Sequence, residues 1–167
     1  MTNMRRRDVL ITLLLGAPSF LAAQPKVPNE TLTAPEDLRL VAASIVANHA
    51  PWLVLFSTPG CPYCKEVRRN YLTPRMLEQA RSANPDLLLG EIDITSQRPI
   101  IDLAGRQVTQ AAFATGFGVR AVPVVTLLDQ AMRLLAEPLV GLDRSGFYEG
   151  YLVAAIEGAR KRMRQTS

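Results

Sequence analysis

Cys61-Pro62-Tyr63-Cys64 carries the only two thiols of the 167-residue chain, separated by two residues. The motif follows an apolar run and opens a helical pattern. That spacing lets both sulfurs sit on the first turn of a helix, within range of a disulfide. Free backbone N–H groups and the positive end of the helix dipole favour a thiolate there. The chemistry this predicts is thiol–disulfide exchange. Cys61, at the helix start, is the exposed and more acidic sulfur, and it attacks or is attacked. Cys64, one turn in on the stripe of Val67 and Tyr71, is buried and resolves the mixed disulfide. A purely structural bridge would add little, because so short a loop hardly constrains the unfolded chain.

The flanking sequence supplies elements to hold the motif. Thr33-Ala34-Pro35-Glu36 reads as a capping box, followed by Leu38, Val41, Ala42, Ile45 and Val46 on one helical face. Asn48-His49-Ala50-Pro51 ends that helix. Trp52-Leu53-Val54-Leu55-Phe56 is continuously apolar, as in a strand buried on both faces, and Ser57-Thr58-Pro59-Gly60 delivers Cys61. Thr73 and Pro74 read as a new N-cap and first turn that break the helix begun at the cysteines. Leu87 to Ile94 ends as an alternating strand, and Ala104-Gly105-Arg106 turns a small hairpin. A helix over Val108 to Phe117, a strand over Val122 to Leu128 and another over Met132 to Leu135 follow. Phe147, Tyr151, Ala155 and Ile156 mark an amphipathic C-terminal helix. This order is compatible with a three-layer α/β sandwich of one domain.

Hydrophobic content of 48% and charged content of 20% are those of a globular chain. Arg5, Arg6 and Arg7 against Asp8 leave +2, and Arg160, Lys161, Arg162 and Arg164 add +4. With a formal net charge of +4, the body between carries about −2, which argues against a nucleic-acid partner. Residues 1–23 read as an export signal: a charged start, then an apolar stretch shorter than the ~20 residues of a membrane span. Arg6-Arg7-Asp8-Val9-Leu10 resembles a twin-arginine signal. Cleavage falls near Ala23, with an uncleaved anchor as the alternative, and residues 24–32 form a tether. The expected location is a bacterial periplasm, where paired cysteines persist.

Cys61-Pro62-Tyr63-Cys64 after an apolar strand, with Gly118-Val119-Arg120-Ala121-Val122-Pro123 before another, resembles the thioredoxin superfamily. The resemblance spans the domain at 33–167. It implies a three-layer α/β/α sandwich with a mixed central sheet, an N-terminal helix and an insertion before a cis-proline loop. It further implies a cis bond before Pro123 lying against the sulfurs. Val122 and Pro123 would then bind substrate together with Pro62 and Tyr63, the backbone of Val122 pairing with a bound peptide. Asp93-Ile94-Thr95 and the insertion through Ile101-Asp102-Leu103-Ala104-Gly105 resemble thioredoxins associated with bacterial sulfur oxidation. That likeness implies protein thiol or disulfide substrates, a membrane-bound thiol electron donor, no bound cofactor and a reductive direction. Oxidase and isomerase are the alternatives.

Three positions depart from ordinary thioredoxins. Pro62-Tyr63 is the glutaredoxin dipeptide, Gly60 replaces a tryptophan, and Leu55 replaces a buried acid. The export signal nevertheless points away from a glutathione-using enzyme. Lys65 would favour a thiolate electrostatically, but a solvated lysine is the simpler reading. Glu91 and Asp93 share a strand face and read as a solvated edge. A rival from another class joins the single histidine, His49, to Cys61 and Cys64 as a copper site. Structural zinc would need a fourth ligand. The strand between His49 and the cysteines is expected to hold them apart.

Overall fold

The computed structural model describes residues 31–166, so the expected export segment and most of the tether lie outside the described residues. Helix α1 (Leu38–Asn48) is followed by strand β1 (Trp52–Ser57), α2 (Pro62–Val67), a π-helical turn (Arg68–Leu72) and α3 (Thr73–Arg81). Next come β2 (Leu88–Asp93), a hairpin of β3 (Pro99–Ile101) and β4 (Gln107–Thr109), then α4 (Gln110–Gly116). The chain closes with β5 (Val124–Leu128), β6 (Leu139–Val140) and α5 (Tyr148–Thr166). The four-stranded sheet has the order β2-β1-β5-β6, with β1 parallel to β2 and antiparallel to β5.

All six residues of β1 are buried, because a strand flanked on both edges and covered on both faces has no solvent side. The two faces can be told apart at Gly90 and Glu91. A Cβ on Gly90 would lie 2.8 Å from Trp52 Nε1, so this glycine makes room for the indole. On that face Phe113 of α4 and Phe117, which caps its C-terminus, pack against Phe56, and Phe113 reaches Trp52. Glu91, one residue on, points to the other face, where it meets Arg68 of the π-helical turn. Tyr71 of that turn packs on Tyr148 of α5 at 4.8 Å, and Arg75 pairs with Glu149. Helices therefore cover both faces of a mixed sheet, the three-layer sandwich expected.

Several local expectations change. The capping box does not form. Residues 33–37 are not helical: the carbonyls of Thr33 and Glu36 accept from Glu91 and Ile101, and Asp37 bridges Ile101. Asp37 instead caps α1, accepting from the N–H of Arg39 at 2.8 Å, and the same arginine's guanidinium holds its carboxyl below the usual range. Leu32, assigned to the tether, is buried in the core. Thr73 is no N-cap either, since its backbone is helical and its N–H reaches back five residues to Arg68. The wide turn absorbs the hydrogen bond that Pro74 cannot donate, and the helix runs on without a break.

Met132 to Leu135 makes only an isolated bridge, Leu128 to Leu134. The buried Asp129 explains this: its carboxylate gathers the N–H groups of Ala131 and Arg133 into a turn. The edge strand is Leu139–Val140. In α5 the buried stripe is Tyr148, Leu152, Ile156, Ala159 and Met163, whereas Phe147 and Tyr151 are exposed.

Candidate active site

Strand β1 ends at Ser57, and the loop that follows turns at Gly60 with φ 78°. Only glycine adopts that left-handed conformation without strain, which accounts for its standing where the resemblance expects tryptophan. Cys61 is the N-cap of α2, and its Sγ accepts from the N–H of Cys64 at 3.1 Å. Pro62 occupies the first turn, where a missing N–H costs nothing. The two sulfurs form a disulfide across Cα atoms 5.3 Å apart. Cys64 is completely buried beside Val67, Cys61 is half-buried, and Pro62 and Tyr63 are exposed. The sulfurs thus show the asymmetry expected of them: one reachable, one shielded.

The second expected element lies alongside. Phe56 pairs with Val124, so the residues preceding β5 come level with the loop leaving β1. The Val122–Pro123 bond is cis, and the carbonyl of Pro123 accepts from Gly141 at 2.8 Å. Among the described residues no main-chain hydrogen bond ties down Val122. A hollow of about 290 Å³ opens beside this loop, with Val119, Val124, Leu134 and Val140 on its walls and Arg120 among its lining.

Sequence reasoning missed a charged cluster on the opposite flank. Glu91 is not a solvated edge residue: its side chain is 12% exposed. Both Nε and Nη2 of Arg68 donate to its carboxylate, the former at 2.7 Å, and Ser57 Oγ donates to it as well. Glu91 in turn holds the Arg68 guanidinium above its ordinary range. The cluster lines a cleft of about 1090 Å³ shared with Cys61, Pro62, Lys65 and Asp93. The one signal available was the alternation of β2, which places Glu91 opposite Leu55 in register. Nothing in sequence pairs it with an arginine in a π-helical turn. His49, by contrast, caps α1 before β1 begins, while the cysteines follow its end. Six strand residues, about 20 Å, separate them, and the three copper ligands are not brought together.

The family model for the thioredoxin-like domain matches residues 38–142, well over half of the chain. The chain belongs to the thioredoxin-like domain family. Its fold is similar to thioredoxin f of spinach chloroplast, at 17% identity and a TM-score of 0.48, covering 78% of this chain and 88% of that one. It is also similar to oxidised mitochondrial thioredoxin 3 of Saccharomyces cerevisiae, at 17% identity and 0.47, over 75% and 93% of the two chains. A thioredoxin-fold protein of Helicobacter pylori gives 15% identity and 0.44, over 72% and 88%. No curated protein sequence matches the chain. This thioredoxin-like domain, with its Cys61–Cys64 pair at a helix start, is a thiol–disulfide oxidoreductase acting on protein thiols or disulfides.

Proposed function

We propose that this protein is an exported, periplasmic reductase of disulfides in partner proteins. The observation that carries the cycle is the unequal burial of the two sulfurs at the head of α2. In the reduced protein the Cys61 thiolate attacks one sulfur of a substrate disulfide and expels the other as a thiolate. The Cys64 thiol loses its proton and attacks Cys61 Sγ, releasing the second substrate sulfur. The substrate gains two electrons and two protons, and Cys61 and Cys64 are left as the disulfide seen here. A membrane-bound dithiol then returns the pair to the reduced state.

Val122 offers its unengaged main chain to an extended substrate segment, and Pro62, Tyr63 and Pro123 frame it. The apolar hollow beside Arg120 suits a bulky side chain of that segment. The periplasmic setting rests on the basic, apolar N-terminal sequence, and a role among sulfur-oxidising partners rests on the insertion resemblance.

Cys64→Ser tests the assignment of roles. It is expected to accumulate mixed disulfides through Cys61 with proteins of the producing cell, resolvable on non-reducing gels, and to lose turnover. Full activity without adducts would overturn the roles. Cell fractionation is expected to place the chain with periplasmic markers, and a cytoplasmic chain would overturn the export reading.

A further inference from the structure

Glu91 bonds to both flanks of the redox loop at once. Ser57 precedes Cys61 by four residues, Arg68 follows Cys64 by four, and one carboxylate receives both. We propose that Glu91 is a positioning residue that neutralises Arg68 beside the redox pair and thereby sets the stability of the Cys61 thiolate. The inference rests on the oxidoreductase cycle above and adds to it what tunes the cycle.

The argument is one of charge balance. Lys65 on α2, Arg68 in the π-helical turn and Arg98 before the hairpin line the cleft containing Cys61, and Glu36, Glu91 and Asp93 oppose them. Arg120 stands on the cis-proline loop at the other side. Three cations and three carboxylates thus line the cleft, with Arg120 a fourth cation across from them, around a sulfur that becomes an anion on reduction. Both members of the Arg68–Glu91 pair are largely withdrawn from water, at 28% and 12% exposed, so bulk solvent screens them less than it does the exposed Lys65 and Arg98. Removing one member leaves the other's charge uncompensated beside the thiolate.

This makes opposite predictions for the two partners. Glu91→Gln keeps a hydrogen-bonding side chain but frees the positive charge of Arg68. Thiolate formation at Cys61, followed by ultraviolet absorbance of the reduced protein, should move to lower pH. The equilibrium with dithiothreitol should shift several-fold toward the reduced protein, as a newly uncompensated positive charge on the same cleft favours the thiolate. Arg68→Gln should move both readouts the other way. The double variant Glu91→Gln, Arg68→Gln should return close to wild type, and Glu91→Asp, which keeps the charge, should do the same.

Single variants that shift in the same direction, or a double variant worse than either, would show a merely structural brace and overturn the proposal. If Arg68→Gln does not fold, Glu91→Gln against Glu91→Asp still decides: equal shifts, or none, overturn it. A wild-type pair that never equilibrates with dithiothreitol would instead sink the oxidoreductase cycle itself, so the two failures are distinguishable.

Discussion

At the residue scale, the side chains that define this protein are polar groups in apolar settings, satisfied to different degrees. Glu91 is fully engaged. Tyr148 is its opposite: buried at 3% exposure, with a hydroxyl that finds no hydrogen-bond partner among the described residues. Burial pushes its phenol well above the ordinary range, with Tyr71 adding to the effect. The neutral form is therefore favoured in the folded state, and the folded value is raised above the unfolded one near 10. That contribution is fully present below about pH 10 and is lost as the pH rises further, when unfolded chains ionise and folded ones resist. Tyr148→Phe should flatten the fall in stability above pH 10, read by denaturant titration at two pH values. At neutral pH it should be neutral or stabilising by up to about 1 kcal/mol, since it deletes an unpaired buried hydroxyl.

At the scale of elements, the sequence was legible wherever a short-range signal had no rival. The apolar run at Trp52, the hairpin around Gly105 and the cis bond before Pro123 are all present as read. The failures share a physical cause: a neighbour's backbone or a longer-range partner outbid the local preference. Thr33 lost its capping role because its segment pairs with β2 and the hairpin. The π-helical turn depends on a hydrogen-bond register that no propensity reports. The Ser57–Glu91–Arg68 cluster joins three elements, so no window of sequence contains it. In α5 the apolar residues Tyr148, Leu152, Ile156, Ala159 and Met163 form the buried stripe on the side of β5, and Tyr151 lies off it. Leu152→Ala should thus cost about 2–5 kcal/mol by leaving a cavity, whereas Tyr151→Ser should stay within about 0.5 kcal/mol. Denaturant midpoints of the two variants check the assignment, and equal losses would contradict it.

At the scale of the whole molecule, redox direction and folding stability are one quantity measured twice. Closing or opening the Cys61–Cys64 bond changes the folded state, so a thermodynamic cycle links the pair's reduction potential to the difference in stability between the oxidised and reduced proteins. Known proteins with this cysteine spacing span about −270 to −120 mV, some 7 kcal/mol for two electrons, with each ~30 mV equal to about 1.4 kcal/mol. A strong oxidant owes its potential to a stabilised reduced form, and a reductant is the reverse. Chain entropy contributes little for so short a loop. The difference must instead come from how well the folded site hosts a thiolate, through the Cys64 N–H aimed at Cys61 Sγ and the charges of the cleft. The proposed reductive direction requires that these charges not strongly favour an anion at Cys61. The oxidised protein is accordingly expected to resist denaturant better than the reduced one, by several kcal/mol if its potential lies near −270 mV. A reduced form that is the more stable of the two would assign the protein to disulfide formation instead.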